Sequence, residues 1–395
     1  MDSTTVKPGR CAELPVANKL GQLLVEELDR GTSLDEVFHI VKDMARELTS
    51  HGYIQCPRTK TVFENGSDTE AELRILFHTI HRDTLRSLVL GCIAYDFHDQ
   101  DSENWKNVYS PKGAGSYVVA ISIKGRDGGF LSRSEINALS ELVEKYKNAC
   151  VAWSMIDDSY GQSSQVSRQQ EELLALAMVI DNELVRKKGQ EWTVNDRYRE
   201  PKCRSGRNGT ANAEALIQML HRRQDENFQS NVPQKQSPVY VGCAHHVNKR
   251  SLAHDPGLGS LLGSSSMLKL MLACIRYMGL KPLVHTIPLV MVWKEEQISL
   301  SEILVTVLAQ SLVTVHGLNI IQPGTNSSMD ERNTDHYDDV KEHTWLKRLW
   351  FRENIKGSLE NSPGHPIYAA VLASMDDLAA SSSRRSNSLG NQTCK

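Results

Sequence analysis

The sequence is short of several things, and each shortage narrows the reading. Cysteine is sparse: eight in 395 residues, at 11, 56, 92, 150, 203, 243, 274 and 394, with no C-x-x-C pair. That spacing excludes a small disulfide scaffold and fits no zinc-ligand pattern, so these read as reduced packing cysteines of an intracellular protein, nuclear or cytoplasmic. Long apolar runs are missing too. The most apolar stretch, 267–293, is broken by Lys269, Arg276 and Lys281, so no membrane span is expected. The opening residues, MDSTTVKPGR, contain no apolar segment, so no secretory leader is expected. Four glycosylation sequons, at Asn65, Asn208, Asn326 and Asn391, would then go unused. Charge of one sign is also lacking. Asp+Glu number 48 and Lys+Arg 45, for a net charge of -3. That excludes a uniformly basic nucleic-acid coat and leaves room for a local basic face.

What is present is enough apolar material for a sizeable core, at 40% hydrophobic residues. Residues 1–110 read as a helical N-terminal region. Leu20, Leu23, Leu24 and Leu28 share a helical face, as do Leu34, Val37, Ile40, Val41 and Met44. A third helical pattern runs from Ala71 to about Tyr95, and 98–113 reads as loop. Residues 114–124 carry a β-rich strand, Gly115 to Ile123. Residues 125–236 read as a helical insertion and basic linker. It opens with the capping box Ser132-x-x-Glu135 and continues with a second helix at about 165–187. Asp157-Asp158 reads as loop between them. From Arg186 to Arg223 there are ten Lys/Arg and four Asp/Glu. Within that run, 202–209 reads as a mobile basic loop, and the run 186–223 as a whole would either contact phosphate backbone or serve as an ordinary solvated linker. Residues 238–323 alternate strand, helix, helix, strand, helix. A helical extension (324–372) and a Ser-rich, disordered tail (373–395) complete the chain. The fold class is α/β (α+β): a small mixed sheet flanked by helices.

The run Val239-Tyr240-Val241-Gly242, followed by Lys249-Arg250 and His254, carries the chemistry. A strand ends in Gly242. The next helix presents Arg250 and His254 four residues apart on one face. A strand-end tyrosine facing a helix-borne arginine suits phosphodiester chemistry, because a guanidinium can hold an anionic phosphate and the added charge of its transition state.

In these residues the sequence resembles the GIY-YIG endonuclease family. Tyr240-Val241-Gly242 stands where that family has Tyr-Ile-Gly, and Arg250 stands at its catalytic arginine, ten residues beyond the tyrosine. His254 fits the histidine common four residues later. Glu302, on a later helix, matches the metal-binding glutamate. Asn319, in Gly317-Leu318-Asn319-Ile320, matches a supporting asparagine. The family's Gly-Ile-Tyr strand normally lies some ten to fifteen residues before the Tyr-Ile-Gly, and here that window (225–238) holds no tyrosine. The nearest G-x-Y is Gly115-Ser116-Tyr117. It is expected to pair with 239–242 across the insertion, since loop-closure cost grows only logarithmically with length.

The resemblance implies a metal-dependent DNA endonuclease, with DNA the substrate in preference to RNA. Glu302 would bind one Mg²⁺ or Mn²⁺, Arg250 would stabilise the scissile phosphate, and Tyr240 or Tyr117 would orient or activate water. His254 would assist in proton transfer or hold a tyrosine oxygen, with Gly242, Lys249 and Asn319 in support. The alternative is a catalytically silent interaction module that binds nucleic acid, or a protein partner through its helices. Individual residues have plainer readings. Tyr240 serves equally as a packing residue, Ser299-x-x-Glu302 as a capping box after a turn holding Glu295 and Glu296, and Asn319 as a partner for backbone groups. The acidic stretch from Asp330 to Asp339 reads as solvated loop rather than metal site. His245-His246 point apart, so they share no metal.

Overall fold

In the computed structural model, residues 11–390 are described, apart from 16–17, 65, 111, 159–165, 184–199, 205–208, 228, 255–260, 262–263 and 326–336. The asparagines of all four sequons, and Asp330, Glu331, Asp335 and His336 of the acidic stretch, lie outside the described residues.

The chain begins with α1 (Lys19–Asp29), α2 (Leu34–Ser50), the short α3 (Pro57–Thr61), α4 (Asp68–His78), α5 (Arg82–Leu90) and the single turn α6 (Ile93–Asp96). Side-chain caps start most of these. Asn18 caps α1, and Ser33 and Glu36 form a reciprocal capping box on α2. Strand β1 (Gly115–Ile123) follows. The insertion holds α7 (Arg133–Asp158), α8 (Arg168–Glu183) and α9 (Gly209–Arg222). Then come β2 (Tyr240–Ala244), α10 (Val247–His254), α11 (Ser266–Tyr277), β3 (Pro282–Met291) and α12 (Glu296–Ala309). The last helices are α13 (Tyr337–Glu342), α14 (Leu349–Asn361) and α15 (Pro366–Gly390).

This is a mixed α/β protein with one small sheet of order β2-β1-β3. Both pairings are antiparallel. β1 meets β2 from Gly115↔Ala244 to Val119↔Tyr240, and β3 from Gly115↔Met291 to Ile123↔Pro282. Tyr117 therefore lies opposite Gly242, and the two strands of this pair are separated by the whole of α7–α9. A register irregularity between Ser116 and Tyr117 lets β3 pass this point.

All nine residues of β1 are buried, because both faces of the sheet are covered. Tyr117, Val119, Ile121 and Ile123 face a core shared with α7, α9 and α11. Val118, Ala120, Val241 and Cys243 face a second core shared with α12, the N-terminal helices, α14 and α15. α12 explains why the second layer is thick. Its sequence, EQISLSEILVTVLA, is apolar all round, and a helix of that kind needs cover on every side. It is wedged between the sheet and α2, α4 and α5.

Several expectations are corrected here. Asp157 and Asp158 are the last residues of α7, not a loop. α12 starts at Glu296, so Ser299-x-x-Glu302 lies inside the helix and caps nothing. The favourable start for this helix is a turn earlier than the Ser-x-x-Glu pattern indicates, because Gln297 reaches back to the Trp293 N–H at 3.1 Å. The segment read as a disordered tail continues α15 as far as Gly390.

Gly242 is required by a close approach. A Cβ there would lie 2.5 Å from the Tyr117 hydroxyl and 2.7 Å from its ring. Gly242→Ala is expected to lose about 1–3 kcal/mol through overpacking. Gly357, in α14, has no neighbour within 4 Å of its would-be Cβ. Gly357→Ala should gain about 0.5–1 kcal/mol from helix propensity. Paired urea unfolding curves check both, and opposite signs are expected.

Candidate functional site

The antiparallel pairing stacks the Tyr117 ring over Gly242, and from there the hydroxyl reaches α10. Tyr117 Oη lies 2.8 Å from His254 Nε2, and His254 Nδ1 lies 2.6 Å from Ser264 Oγ. A neutral imidazole has one donor and one acceptor nitrogen, so it can serve both neighbours at once. Burial holds His254 down to about 4, with Arg250 and Lys269 pushing the same way. Burial likewise raises the Tyr117 phenol well above its usual value, with Tyr240 adding, and the opposing effect of Arg250 is smaller. Both side chains are closed to solvent.

Tyr240 opens β2 and is partly exposed. Its ring centroid lies 5.5 Å from that of His254. Its phenol is raised first by burial, then by Glu302, and Arg250 opposes this. Glu302 approaches from the other side of the sheet. It sits on α12, which packs on the face carrying Val241 and Cys243, whereas Tyr117, Gly242 and Tyr240 share the opposite face. Because β2 is an edge strand, charges on the two faces act on each other around its rim. Arg250 and Glu302 both act on Tyr117, Tyr240 and the Cys243 thiol.

Glu302 itself is only 1% exposed. One carboxylate oxygen accepts the Gly324 N–H at 2.9 Å, and the Cys243 thiol is a second hydrogen-bonding partner. A hydrated Mg²⁺ or Mn²⁺ keeps several waters and needs room for them. A carboxylate this enclosed and already bonded does not fit that role, and among the described residues no three His, Cys, Asp or Glu side chains group as a metal site.

Asn319 runs along the free edge of β2. Its Oδ1 accepts the Val241 N–H and its Nδ2 donates to the Val241 carbonyl, both at 2.7 Å. The side chain thus satisfies the edge as a neighbouring strand would. Lys249 is exposed and turned elsewhere. With His246, Lys112 and Lys347 it lines a separate cavity of about 730 Å³. His245 is buried, with Nε2 3.6 Å from Glu295.

A second group of residues, which the sequence pattern did not single out, surrounds the accessible side of Tyr240. A cavity of about 370 Å³ there is lined by Tyr240, Asn319, Lys202, Arg204, Lys269 and the serines that start α11. Ser265 caps that helix, leaving N–H groups and the positive end of its dipole toward the cavity. The basic segment is tied by hydrogen bonds at Lys202 and Cys203. Buried Asp181 accepts the Lys202 N–H at 2.8 Å and the Tyr146 hydroxyl at 2.8 Å, and Tyr146 accepts the Cys203 N–H at 2.9 Å. Residues 205–208 of that run lie outside the described residues. The available signal was Ser264-Ser265-Ser266 ahead of an apolar run, an N-cap signature.

No family model, curated protein or solved structure matches this chain. No described helix is long and apolar enough to cross a membrane.

The folded value of His254 is below the ordinary value, so the unfolded ring takes up its proton first as pH falls. Stability from this group is complete above about pH 6.5 and is lost down to about pH 4, by roughly 3 kcal/mol at most. The His254 ring should remain neutral at pH 5.5 in an NMR titration; a midpoint near 6.5 would contradict the buried Tyr117–His254–Ser264 chain. Asn319→Ala should cost about 2 kcal/mol or more, because it strands both backbone groups of Val241. Thermal or chemical unfolding measures that loss.

Proposed function

We propose that this protein binds DNA through its phosphates at the cavity beside Tyr240, on a GIY-YIG-like core that no longer cuts. On this reading it is an intracellular protein, nuclear or cytoplasmic, and an interaction module rather than a hydrolase. The observation that carries the proposal is the state of Glu302: buried, bonded to the Gly324 N–H, and on the far face from the tyrosines. The tyrosines add support. A phenol whose pKa is raised by burial donates hydrogen bonds and is a poor base for activating water. Binding asks less of the site. Lys202, Lys269 and the N-terminus of α11 offer cations and N–H donors of the kind that hold phosphate oxygens, and Arg204 lines the same cavity while paired with Glu200 at 3.1 Å.

One observation favours the active alternative, a metal-dependent endonuclease. Arg250 and Glu302 share an electrostatic neighbourhood with both tyrosines around the β2 edge. That is the grouping a phosphodiester mechanism needs, and a movement freeing Glu302 from Gly324 would be required first.

The experiment incubates the protein with plasmid, branched and single-stranded DNA, with and without Mg²⁺ or Mn²⁺, and measures binding by fluorescence anisotropy in parallel. Binding without cutting is expected. Lys202→Ala and Lys269→Ala should each weaken binding roughly fivefold and lower the slope of log K against log salt by about 0.9. Metal-dependent cutting abolished by Arg250→Ala and by Glu302→Ala would overturn the proposal in favour of the nuclease. Absence of both binding and cutting would overturn both.

A further inference from the structure

The two edges of the sheet are finished differently. On β2, the Asn319 side chain occupies the outer side of Val241. β3 is the other edge, and it pairs only with β1. One step beyond the Ile123↔Pro282 pair, the Lys124 N–H donates to the Lys281 carbonyl at 2.9 Å. Bonded pairs alternate along an antiparallel ladder, so Leu283, His285 and Ile287 turn their backbone groups toward β1. Val284 and Thr286 turn theirs outward. Among the described residues, nothing bonds to those outward N–H and C=O groups. Pro282 and Pro288 hold the outward positions on either side and have no N–H to offer. The edge is blunted at both ends and open in the middle.

A cavity of about 500 Å³ lies against this open stretch, lined by Val284 and Thr286 together with Trp105, Tyr109 and Leu252. Trp105 packs with the layer that holds α12, whereas α10, which carries Leu252, lies on the Tyr117 face. The cavity is therefore walled from both faces of the sheet, with the strand edge between. That is the geometry that receives an extended segment as an added strand. Leu252 is 53% exposed, and such a segment would cover it. The lining also includes Arg348 and no carboxylate. Its guanidinium lies over the rings of Tyr109 and Trp350, 5.7 and 5.2 Å from their centroids, and Nη1 donates to the Lys106 carbonyl at 3.4 Å. Aromatic faces thus hold this cation in place, and no described carboxylate acts on it. His285, also on the lining, is kept neutral by burial and is bonded to Ser122 Oγ at 2.7 Å.

We propose that this cavity docks an extended, acidic peptide segment of a protein partner. The segment pairs its backbone with Val284 and Thr286, sets a carboxylate against Arg348, and lays apolar side chains on Trp105 and Leu252. Charge complementarity selects this occupant. A second copy of the chain offering its own β3 would bring PLVHTIPLVM, which holds no acid to meet Arg348. A single cation is too little for a nucleic-acid backbone. The groove is separate from the cavity beside Tyr240, and the inference does not depend on what binds there.

The test uses the full chain and three pools of fluorescein-labelled, amide-capped heptapeptides. Each pool alternates Val, Leu or Phe with Ser or Thr and carries Glu, Gln or Lys at one polar position. Anisotropy should show saturable binding in the order Glu, Gln, Lys, with Glu about fivefold tighter than Gln. Arg348→Gln should remove that preference and leave the Gln pool as it was. Thr286→Pro deletes an outward N–H without touching the β1 ladder, and should weaken every pool at least about tenfold. If Thr286→Pro does not fold, Leu252→Glu, at an exposed position, should weaken the Glu pool most. Sedimentation tests the other occupant: self-association abolished by Thr286→Pro would assign the edge to a second copy and overturn the proposal. No saturable binding of the Glu pool up to about millimolar concentration, or binding indifferent to Arg348→Gln and Leu252→Glu, would overturn it as well.

Discussion

A central strand with no solvent face is the constraint on which the rest of this structure depends. Every residue of β1 is buried, so every polar group on it must find a partner inside the protein. Three of its side chains are polar, and each is answered by a different element. Ser116 meets Ser301 of α12 at 2.6 Å, Tyr117 meets His254 of α10 at 2.8 Å, and Ser122 meets His285 of β3 at 2.7 Å. These bonds fix the two helices and the second edge strand to the sheet. They also commit groups that, in an open cleft, would be free to act on a substrate.

The candidate site inherits that commitment. A tyrosine, a histidine, an arginine and a glutamate do gather near one end of β2, but the two faces of the sheet divide them. The α12 carboxylate is spent on a loop N–H and a thiol. What stays accessible beside Tyr240 is cationic and rich in N–H donors. On the proposed reading, the chemistry this arrangement suits is recognition of an anion. The insertion, which looks in sequence like an interruption of the core, supplies one face of the sheet's cover and two of the cations.

Much of this was legible in the residues. The strand from Gly115 to Ile123 stands where its β-branched run indicates, and its partner is the Tyr-x-Gly strand more than a hundred residues on. The Ser132–Glu135 capping box is present, with the Ser132 N–H donating to Glu135 at 2.8 Å. Local patterns of this sort read well because their physics is local. Three readings failed at the ends of helices, where rival local patterns compete. The start of α12 is set by Gln297 and Trp293, not by the serine-glutamate spacing. The end of α7 runs through two aspartates. The final helix persists through a serine-rich segment whose composition indicates disorder. The role of Glu302 was hidden because distant contacts decide it: nothing in its own neighbourhood in sequence announces Gly324, or burial on the side of the sheet away from the tyrosines. The cradle formed by Lys202, Arg204 and Lys269 was hidden because Asp181, which holds the first of these in place, lies in a helix of the insertion.

The order in which the strands leave the ribosome follows from the same arrangement. β1 is made first, flat, apolar and without either neighbour, and it waits for the whole insertion to be synthesised before β2 appears. At roughly 5–20 residues per second, that delay is several seconds or more. Pairings so distant in sequence also form slowly once both partners exist. For that interval the strand presents two open edges and two apolar faces, the state in which a nascent chain is most prone to pair with another copy of itself. The α1–α6 layer precedes it and α7 follows it closely. The face toward α7 can be covered early, but the other face waits for α12, which lies between the sheet and α2, α4 and α5 and is made only after β3.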